Sequence, residues 1–113
     1  MLPKKERIKR EEMESILAKG ALKHSRLFSV RVMKKDVLLS KYSFVVSKKV
    51  AKLAVERNLL RRRGYSIIKE LQSRIVPGFN IVFFYKKGVE GASFVELKKE
   101  IENFLKINKL ISL

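Results

Sequence analysis

A basic stretch running from Val45 to Arg63 constrains this sequence more than any other feature. Seven Lys or Arg residues lie among the sixteen positions from Lys48 to Arg63, and Glu56 is the only acid there. Apolar residues nevertheless recur between the charges, which a disordered basic tail would not need. The stretch therefore predicts a folded element with one side buried and the other presented to a polyanion.

From Arg57 onward, helical spacing separates this stretch into two faces. At about 100° per residue, small and apolar residues fall within an arc of roughly 60°, and polar residues fall on a second arc. The first arc predicts the packed face and the second the outward face. The packed face comprises Leu60, Gly64, Ile67 and Leu71, and the outward face comprises Asn58, Arg61, Arg62, Tyr65 and Lys69.

The charge balance points to nucleic acid as the polyanion. Lys and Arg number 27 against 11 Asp and Glu, which gives a net charge of +16 and a pI near 10.4. Such an excess attracts phosphate backbones and releases their counterions. Residues 1–63 hold 19 basic and 6 acidic residues, whereas residues 64–113 hold 8 and 5. We therefore expect the binding surface in the N-terminal half.

Length and composition predict one soluble domain spanning residues 1–113. With 46% apolar residues, 113 positions can bury a single modest core. The lack of cysteine excludes disulfides and thiolate metal sites and fits a reducing, cytoplasmic environment. No run approaches the ~18 apolar residues of a membrane span, and the charged start lacks a signal-peptide core. A basic membrane-surface protein is an alternative on charge alone, although the mixed periodicities favour a compact α/β body.

Periodicity and turn residues predict the other elements. A first helix over residues 10–19 ends at Gly20, where a left-handed residue often terminates a helix. Alternation predicts strands over 27–33, 37–39 and 42–46, with a hairpin around 34–36. Pro77 and Gly78 then form a turn before a buried strand over 81–85.

The C-terminal part of the chain predicts a closing helix. A charged loop over 86–91 precedes Ser93 and Glu96, whose spacing predicts a capping box ahead of an apolar helical face. The predicted order is α-β-β-β-α-β-α. This order describes an α+β sandwich in which helices pack against a small mixed sheet.

Two groups of residues are candidates for nucleic-acid contacts. Arginine forks match phosphates and an amide can reach a base edge, so Arg57, Asn58, Arg61 and Arg62 form a recognition set. Lys48 and Lys49 precede the helix and could hold a phosphate near its N-terminus. The alternative is an ordinary solvated face. With the neighbouring Lys52 and Tyr65, the predicted RNA-binding residues are Lys48, Lys49, Lys52, Arg57, Asn58, Arg61, Arg62 and Tyr65.

A second candidate site is a cleft for a single strand. Its polar strand face would be formed by Ser29, Arg31 and Ser43, with Met13 and Leu17 of the first helix in place of the aromatic rings that usually stack on bases. Four of the seven phenylalanines are assigned to the core. These four are Phe28, Phe44, Phe83 and Phe84.

Protein-borne catalysis is not supported by the residues. His24 is the only histidine and is expected to be an ordinary surface residue, there is no cysteine, and the acids are scattered. Neither a metal cluster nor a general acid/base pair can be assembled with the usual spacings. The sequence thus predicts no catalytic residue and no metal ligand, and an autonomous nuclease is the weakest hypothesis.

The order of strand, Ser-Lys-Lys, basic helix, Pro-Gly turn and central strand resembles the protein subunit of bacterial ribonuclease P over nearly the whole chain. The matching motif residues are Ser47, Lys48, Lys49, Glu56, Arg57, Asn58, Arg61 and Arg62. A weaker similarity comprises Arg7, Ile8 and Gly20.

The sequence also departs from the family pattern. Leu59 replaces the motif's second arginine, and Met13 stands where the first helix usually carries an aromatic. Gly64, Tyr65 and Ser66 replace a frequent Arg-Glu segment. Because Gly64 lowers helix propensity by roughly 1 kcal/mol relative to alanine, it indicates close packing against a neighbour or a bend.

The resemblance implies a subunit that binds the catalytic RNA of ribonuclease P and the 5′ leader of precursor tRNA, and that assists removal of the leader. It implies an endoribonuclease acting as a ribonucleoprotein, with hydrolysis by the RNA, Mg²⁺ held mainly by the RNA, and no obligate protein partner. It also implies a left-handed β-α-β crossover, an exception to the usual rule. The alternative is a ribosomal or other structural RNA-binding protein without a role in cleavage.

Overall fold

The computed structural model describes residues 4–35 and 39–112. Within this part of the chain, three α-helices surround a four-stranded sheet. The helices are α1 (Arg10–Lys19), α2 (Ala54–Leu71) and α3 (Phe94–Ile107). The strands are β1 (Ala21–His24), β2 (Phe28–Lys34), β3 (Lys41–Val45) and β4 (Phe79–Tyr85), and short 3-10 turns lie at Lys4–Glu6, Gln72–Arg74 and Val89–Gly91.

The sheet has the strand order β1-β2-β4-β3. The pairs β1–β2 and β2–β4 are antiparallel, whereas β3 and β4 are parallel. The chain passes from β3 to its parallel neighbour β4 through α2, which confirms a β-α-β crossover; its left-handed sense stays an expectation from the resemblance. The predicted α-β-β-β-α-β-α order and the mixed sheet are confirmed.

The strand assignment needs two corrections. The first strand, β1, was not predicted, because all four of its residues are exposed and leave no alternation in the sequence. It is defined by its pairing with β2, from Ala21 opposite Val32 to His24 opposite Ser29. Residues 36–38 of the predicted 34–36 hairpin and 37–39 strand lie outside the described residues, and Leu39 belongs to no strand.

The end of α1 also differs from its prediction. Gly20 has φ −69°, so it is not left-handed. Glycine is needed there for a different reason: the backbone of residue 20 lies so close to Ile16 that a Cβ would be 2.6 Å from the Ile16 carbonyl oxygen. The capping box of α3 is confirmed: Glu96 N–H donates to Ser93 Oγ and Ser93 N–H donates to Glu96 Oε1, both at 3.1 Å.

The main core lies between one face of the sheet and the helices α2 and α3. Phe44 stacks on Phe83 with ring centroids 4.6 Å apart and meets Tyr65 of α2 edge-on at 5.2 Å. Phe28 meets Phe104 of α3 edge-on at 5.8 Å. Such ring pairs contribute about 0.5–1.5 kcal/mol each beyond their buried area. No helix among the described residues is long and apolar enough to cross a membrane.

The packed face of α2 is the predicted one, since Leu60, Gly64, Ile67 and Leu71 are all buried. At Gly64 the helix backbone lies directly against the sheet, because a Cβ would come within 2.5 Å of two Phe44 ring carbons and 2.6 Å of the Tyr85 hydroxyl. The Tyr85 hydroxyl donates to the Leu60 carbonyl at 3.0 Å. Close packing thus explains the glycine.

We predict that Gly64→Ala destabilises the protein although alanine is the better helix former. The added methyl must displace rings in a packed core, which costs about 1–3 kcal/mol. Urea unfolding monitored by circular dichroism would measure the change. The matched control is Ser66→Ala, at an exposed position of the same helix. A Gly64→Ala variant as stable as that control would contradict the packing argument.

Two buried tyrosines predict weaker stability at alkaline pH. Burial raises the pKa of Tyr42 from its ordinary 10.0 to about 12, and burial raises the pKa of Tyr85 further. In the unfolded chain both groups ionise near 10, so stability is complete below that pH and falls as pH rises toward 12. Unfolding free energies measured at about pH 8 and about pH 11 should show this loss, and Tyr42→Phe should reduce it. An identical loss in Tyr42→Phe would show that Tyr42 does not contribute.

Candidate nucleic-acid interface

A tight turn places two lysines ahead of α2. The backbone N–H groups of Val50 and Ala51 both donate to the Ser47 carbonyl at 3.1 Å, which closes the turn. Lys48 and Lys49 are exposed at its tip. We group these lysines with Lys52 and with the cations and the amide at the start of α2. This basic ridge comprises Lys48, Lys49, Lys52, Arg57, Asn58, Arg61 and Arg62.

Glu56, the single acid within this stretch, serves the start of α2. Its Oε1 accepts from the Leu53 N–H at 3.3 Å, so the carboxylate satisfies a free donor at the helix N-terminus. Its negative charge also suits the positive end of the helix dipole. The acid therefore contributes to the helix start, and it makes no ion pair with a ridge cation in the described chain.

Arg57 of α2 forms hydrogen bonds to the segment that follows the lysine turn. Its Nη1 donates to the carbonyls of Ala51 at 2.9 Å and Lys52 at 2.7 Å. These carbonyls belong to the segment entering α2, and the side chain stays partly exposed. Arg57 therefore positions the ridge besides adding charge to it, a role that the sequence had not indicated.

The outward side of the ridge is pre-arranged by a contact between two of its members. Arg61 Nη2 donates to Asn58 Oδ1 at 2.8 Å. This bond fixes the Asn58 amide and leaves its N–H groups available to an external acceptor. Arg62 lies exposed beside them.

A polar cavity of about 340 Å³ opens at this side of the helix. Its guanidinium groups can together bind a phosphate by paired hydrogen bonds. The cavity is lined by Arg7, Asn58, Arg61, Arg62 and Tyr65.

Arg7 of this cavity was not among the predicted site residues. The N-terminal segment runs beside β3, where Arg7 bridges to Tyr42 and the Ile8 N–H donates to the Tyr42 carbonyl at 3.0 Å. This strand-like contact places Arg7 beside the α2 residues that line the cavity. The basic opening of the sequence, with Arg7 already part of the family similarity, was the signal that could have placed it here.

Tyr65 differs from the exposed contact that the helical spacing predicts. Its side chain is 7% exposed and packs against Phe44. The small accessible part of Tyr65 lines the cavity that Arg7, Arg61 and Arg62 also line. Only this part of the side chain can contact a group bound there.

Leu59, which replaces a family arginine, is 47% exposed on the ridge. It lines a shallow recess of about 250 Å³ with Val55, Asn58 and Arg62. The ridge is therefore apolar at this point, and the cations on either side of it remain in place.

The ridge cations are not neutralised within the described chain. The acids that form salt bridges pair elsewhere, as Glu12 with Lys41 at 3.0 Å and Glu102 with Arg74 at 3.1 Å. None of these bridges includes a cation of the ridge. An uncompensated positive surface of this kind attracts polyanions over a distance of about 8–10 Å at moderate salt.

The second face of the sheet brings together the predicted polar residues of the cleft. Arg31 of β2 and Ser43 of β3 both lie opposite Val82 of β4, so all three point to the same side. Ser29 lies one row further along, opposite Phe84. Ser29, Arg31 and Ser43 are each partly exposed, which leaves this face open to a ligand.

Helix α1 covers part of this second face. Arg31 Nη1 donates to the Gly20 carbonyl at 3.1 Å, and Lys41 Nζ donates to Glu12 at 3.0 Å. Partial burial raises the pKa of Glu12, but the hydrogen bonds from Lys41 and the Lys9 backbone, with the charges of Lys41 and Lys35, hold it below 4.5. The predicted wall residues lie on this helix, Met13 partly exposed and Leu17 44% exposed.

Phe84 corrects the assignment of four phenylalanines to the core. Phe28, Phe44 and Phe83 belong to the core, but Phe84 lies outside it and is partly exposed on the second face. Strand alternation within 81–85 contained this signal, because residues 82 and 84 must point away from 81, 83 and 85. The cleft therefore has an aromatic ring in its floor.

Among the described residues, no set of three His, Cys, Asp or Glu side chains could hold a metal ion. His24 is exposed on β1. The geometry instead combines a cationic ridge with an open, polar and partly aromatic cleft.

We predict that Arg57→Ala and Arg61→Ala each weaken binding to the RNA of ribonuclease P, the partner implied by the resemblance. Each should flatten the dependence of log K on log salt by about 0.7–0.9 per lost phosphate contact. Arg57→Ala should also lower the free energy of unfolding by about 1 kcal/mol, because its hydrogen bonds to two carbonyls are lost.

A filter-binding salt titration and urea unfolding would measure these two effects. Lys99→Ala, at an exposed position of α3, is the matched control. Unchanged affinity of both arginine variants across the titration would refute the assignment of the ridge.

Comparisons with known proteins identify the family. The profile of the ribonuclease P family matches residues 2–109. A ribonuclease P protein component from Pseudanabaena sp. is 30% identical over 98% of this chain and 97% of its own length. One from Streptococcus pneumoniae serotype 4 is 30% identical over 92% of this chain and 85% of its own length.

Solved structures show the same fold. The RNase P protein from Staphylococcus aureus has a TM-score of 0.84 at 25% identity, covering 95% of this chain and 98% of that one. The protein from Thermotoga maritima has a TM-score of 0.82 at 26% identity, covering 89% and 96%. With the family profile matched over nearly the whole sequence, the chain belongs to the ribonuclease P protein family.

Proposed function

We propose that this ribonuclease P protein binds the catalytic RNA through its basic ridge and holds the 5′ leader of precursor tRNA in the cleft of the second sheet face. The observation that carries the proposal is the adjacency of the two surfaces. Strand β3 contributes Ser43 and Val45 to the cleft, and the chain then enters the lysine turn within a few residues. One RNA assembly can therefore contact both.

The ridge supports the part of the proposal that concerns folded RNA. Arg57 and Arg61 are held by hydrogen bonds within the protein, so the positions of their guanidinium groups are set before binding. Guanidinium groups then meet phosphates without a large loss of side-chain freedom. The Asn58 amide adds donors that can reach a base edge or a sugar.

The cleft supports the part that concerns a single strand. Its floor offers two hydroxyls, one guanidinium and one ring, and α1 forms a wall with Met13 and Leu17. Unstacked bases can reach such a floor, whereas bases within a duplex are paired and stacked. The same groups suit many leader sequences, because apolar and stacking contacts discriminate weakly between bases.

We assign the chemistry of cleavage to the RNA, with Mg²⁺ held mainly by RNA phosphates. Several acidic side chains already have partners within the protein: Glu12 and Glu102 bind lysine or arginine, and Glu56 and Glu96 bind backbone N–H groups at helix starts. Magnesium in phosphate chemistry commonly takes few protein ligands and retains water. We place the protein in the cytoplasm, where precursor tRNA is processed with no obligate protein partner.

We predict that the protein stimulates precursor tRNA cleavage by its cognate RNA at low magnesium. The cations of the ridge lower the electrostatic repulsion between the catalytic RNA and precursor tRNA, which magnesium otherwise screens. The assay compares RNA alone, protein alone and the mixture. An Arg61→Ala/Arg62→Ala variant should lose most of the stimulation, and Lys99→Ala should retain it.

The outcomes separate the competing functions. Stimulation only in the mixture supports the proposal. Cleavage by the protein alone would indicate a nuclease. RNA binding without any stimulation would favour a structural RNA-binding protein, the alternative that neither the relatives nor the fold favours.

A further inference from the structure

We propose that Phe84 is the stacking platform for one unpaired base of the single strand in the cleft. This inference rests on the proposed function and deepens it by naming the residue that holds a base. The ligand class is a nucleobase within a single-stranded RNA segment, bound through its flat face.

The register of the sheet places the Phe84 ring on the second face. Phe84 lies opposite Ser29 of β2 and Val45 of β3, and both neighbours are partly exposed. The core rings of Phe28, Phe83 and Phe104 contact one another on the other side of the sheet. Among the described residues, no aromatic pair includes Phe84, so its ring has no aromatic partner in this part of the chain.

Exposure along β4 shows where α1 stops covering this face. Asn80 is 2% exposed and Val82 is 0% exposed, whereas Phe84, the next residue on the same face, is partly exposed. The sheet contacts α1 at the covered end, where Lys41 Nζ donates to Glu12 and Arg31 Nη1 donates to the carbonyl of Gly20 at the end of α1. The cleft is therefore open at Phe84, and a base can reach the ring.

The groups around Phe84 suit the rest of a nucleotide. Arg31 lies on the same face one row away, and the chain continues from Val45 through Val46 to Lys48. Cations near an exposed ring are the usual arrangement for single-strand binding, because the ring takes the base and the cations take the phosphates. Every base presents a flat face, so this platform tolerates many sequences.

The test uses a short single-stranded RNA with 2-aminopurine, whose fluorescence is quenched when the base stacks on a ring. Phe84→Leu removes the ring and retains an apolar side chain, and Phe84→Tyr retains the ring. The matched control is Phe94→Leu, because Phe94 is a 36% exposed ring on α3. Thermal unfolding of each variant checks that the fold is intact.

We expect quenching with the wild type, Phe84→Tyr and Phe94→Leu. With Phe84→Leu we expect quenching to be lost and affinity to fall about fivefold, the lower end of what one stacked base contributes. Equal quenching and affinity in folded Phe84→Leu would overturn the proposal.

A second measurement separates this inference from the proposed function. In the reconstituted holoenzyme, Phe84→Leu should weaken binding of precursor tRNA and leave binding of leaderless tRNA unchanged. An equal loss for both would overturn the role of Phe84 at the leader. If the wild type failed to stimulate cleavage, the proposed function would fail, and the oligonucleotide experiment would still decide whether Phe84 stacks on a base.

Discussion

The close approach of α2 to the sheet at Gly64 is the constraint on which the rest of the structure depends. Because Gly64 has no side chain, the helix backbone lies against Phe44 and Tyr85, and the Tyr85 hydroxyl binds the Leu60 carbonyl. This contact fixes the rotation of α2 about its axis. The rotation in turn decides that the side chains of Asn58 and Arg62 point outward.

The cleft and the ridge obtain their relative position from the same strand. Residues of β3 alternate between the core, through Tyr42 and Phe44, and the cleft, through Ser43 and Val45. The lysine turn follows the strand directly and is fastened to α2 by Arg57. The cleft and the ridge are therefore held in a fixed relative position by one small protein.

The arginines of this surface have different physical roles. Arg57 is bonded to backbone carbonyls and shapes the ridge, Arg61 orients the Asn58 amide, and Arg7 enters from the N-terminal segment. Charge counting treats them as equivalent. At Leu59 a cation of the family pattern is absent. The three guanidinium groups that line the cavity, those of Arg7, Arg61 and Arg62, are nevertheless present.

The sequence by itself determined the features that depend on local spacing. Helical periodicity predicted the buried face of α2, and the Ser93–Glu96 spacing predicted the start of α3, because both depend on residues within a few positions of one another. Only the tertiary structure decided the position of β1, because this strand is exposed and is defined by its pairing with β2. The tertiary structure likewise decided that Tyr65 is buried and that Arg7 lies beside α2. It also decided that the second sheet face stays uncovered at Phe84, because the extent of α1 over the sheet depends on contacts between residues far apart in the chain.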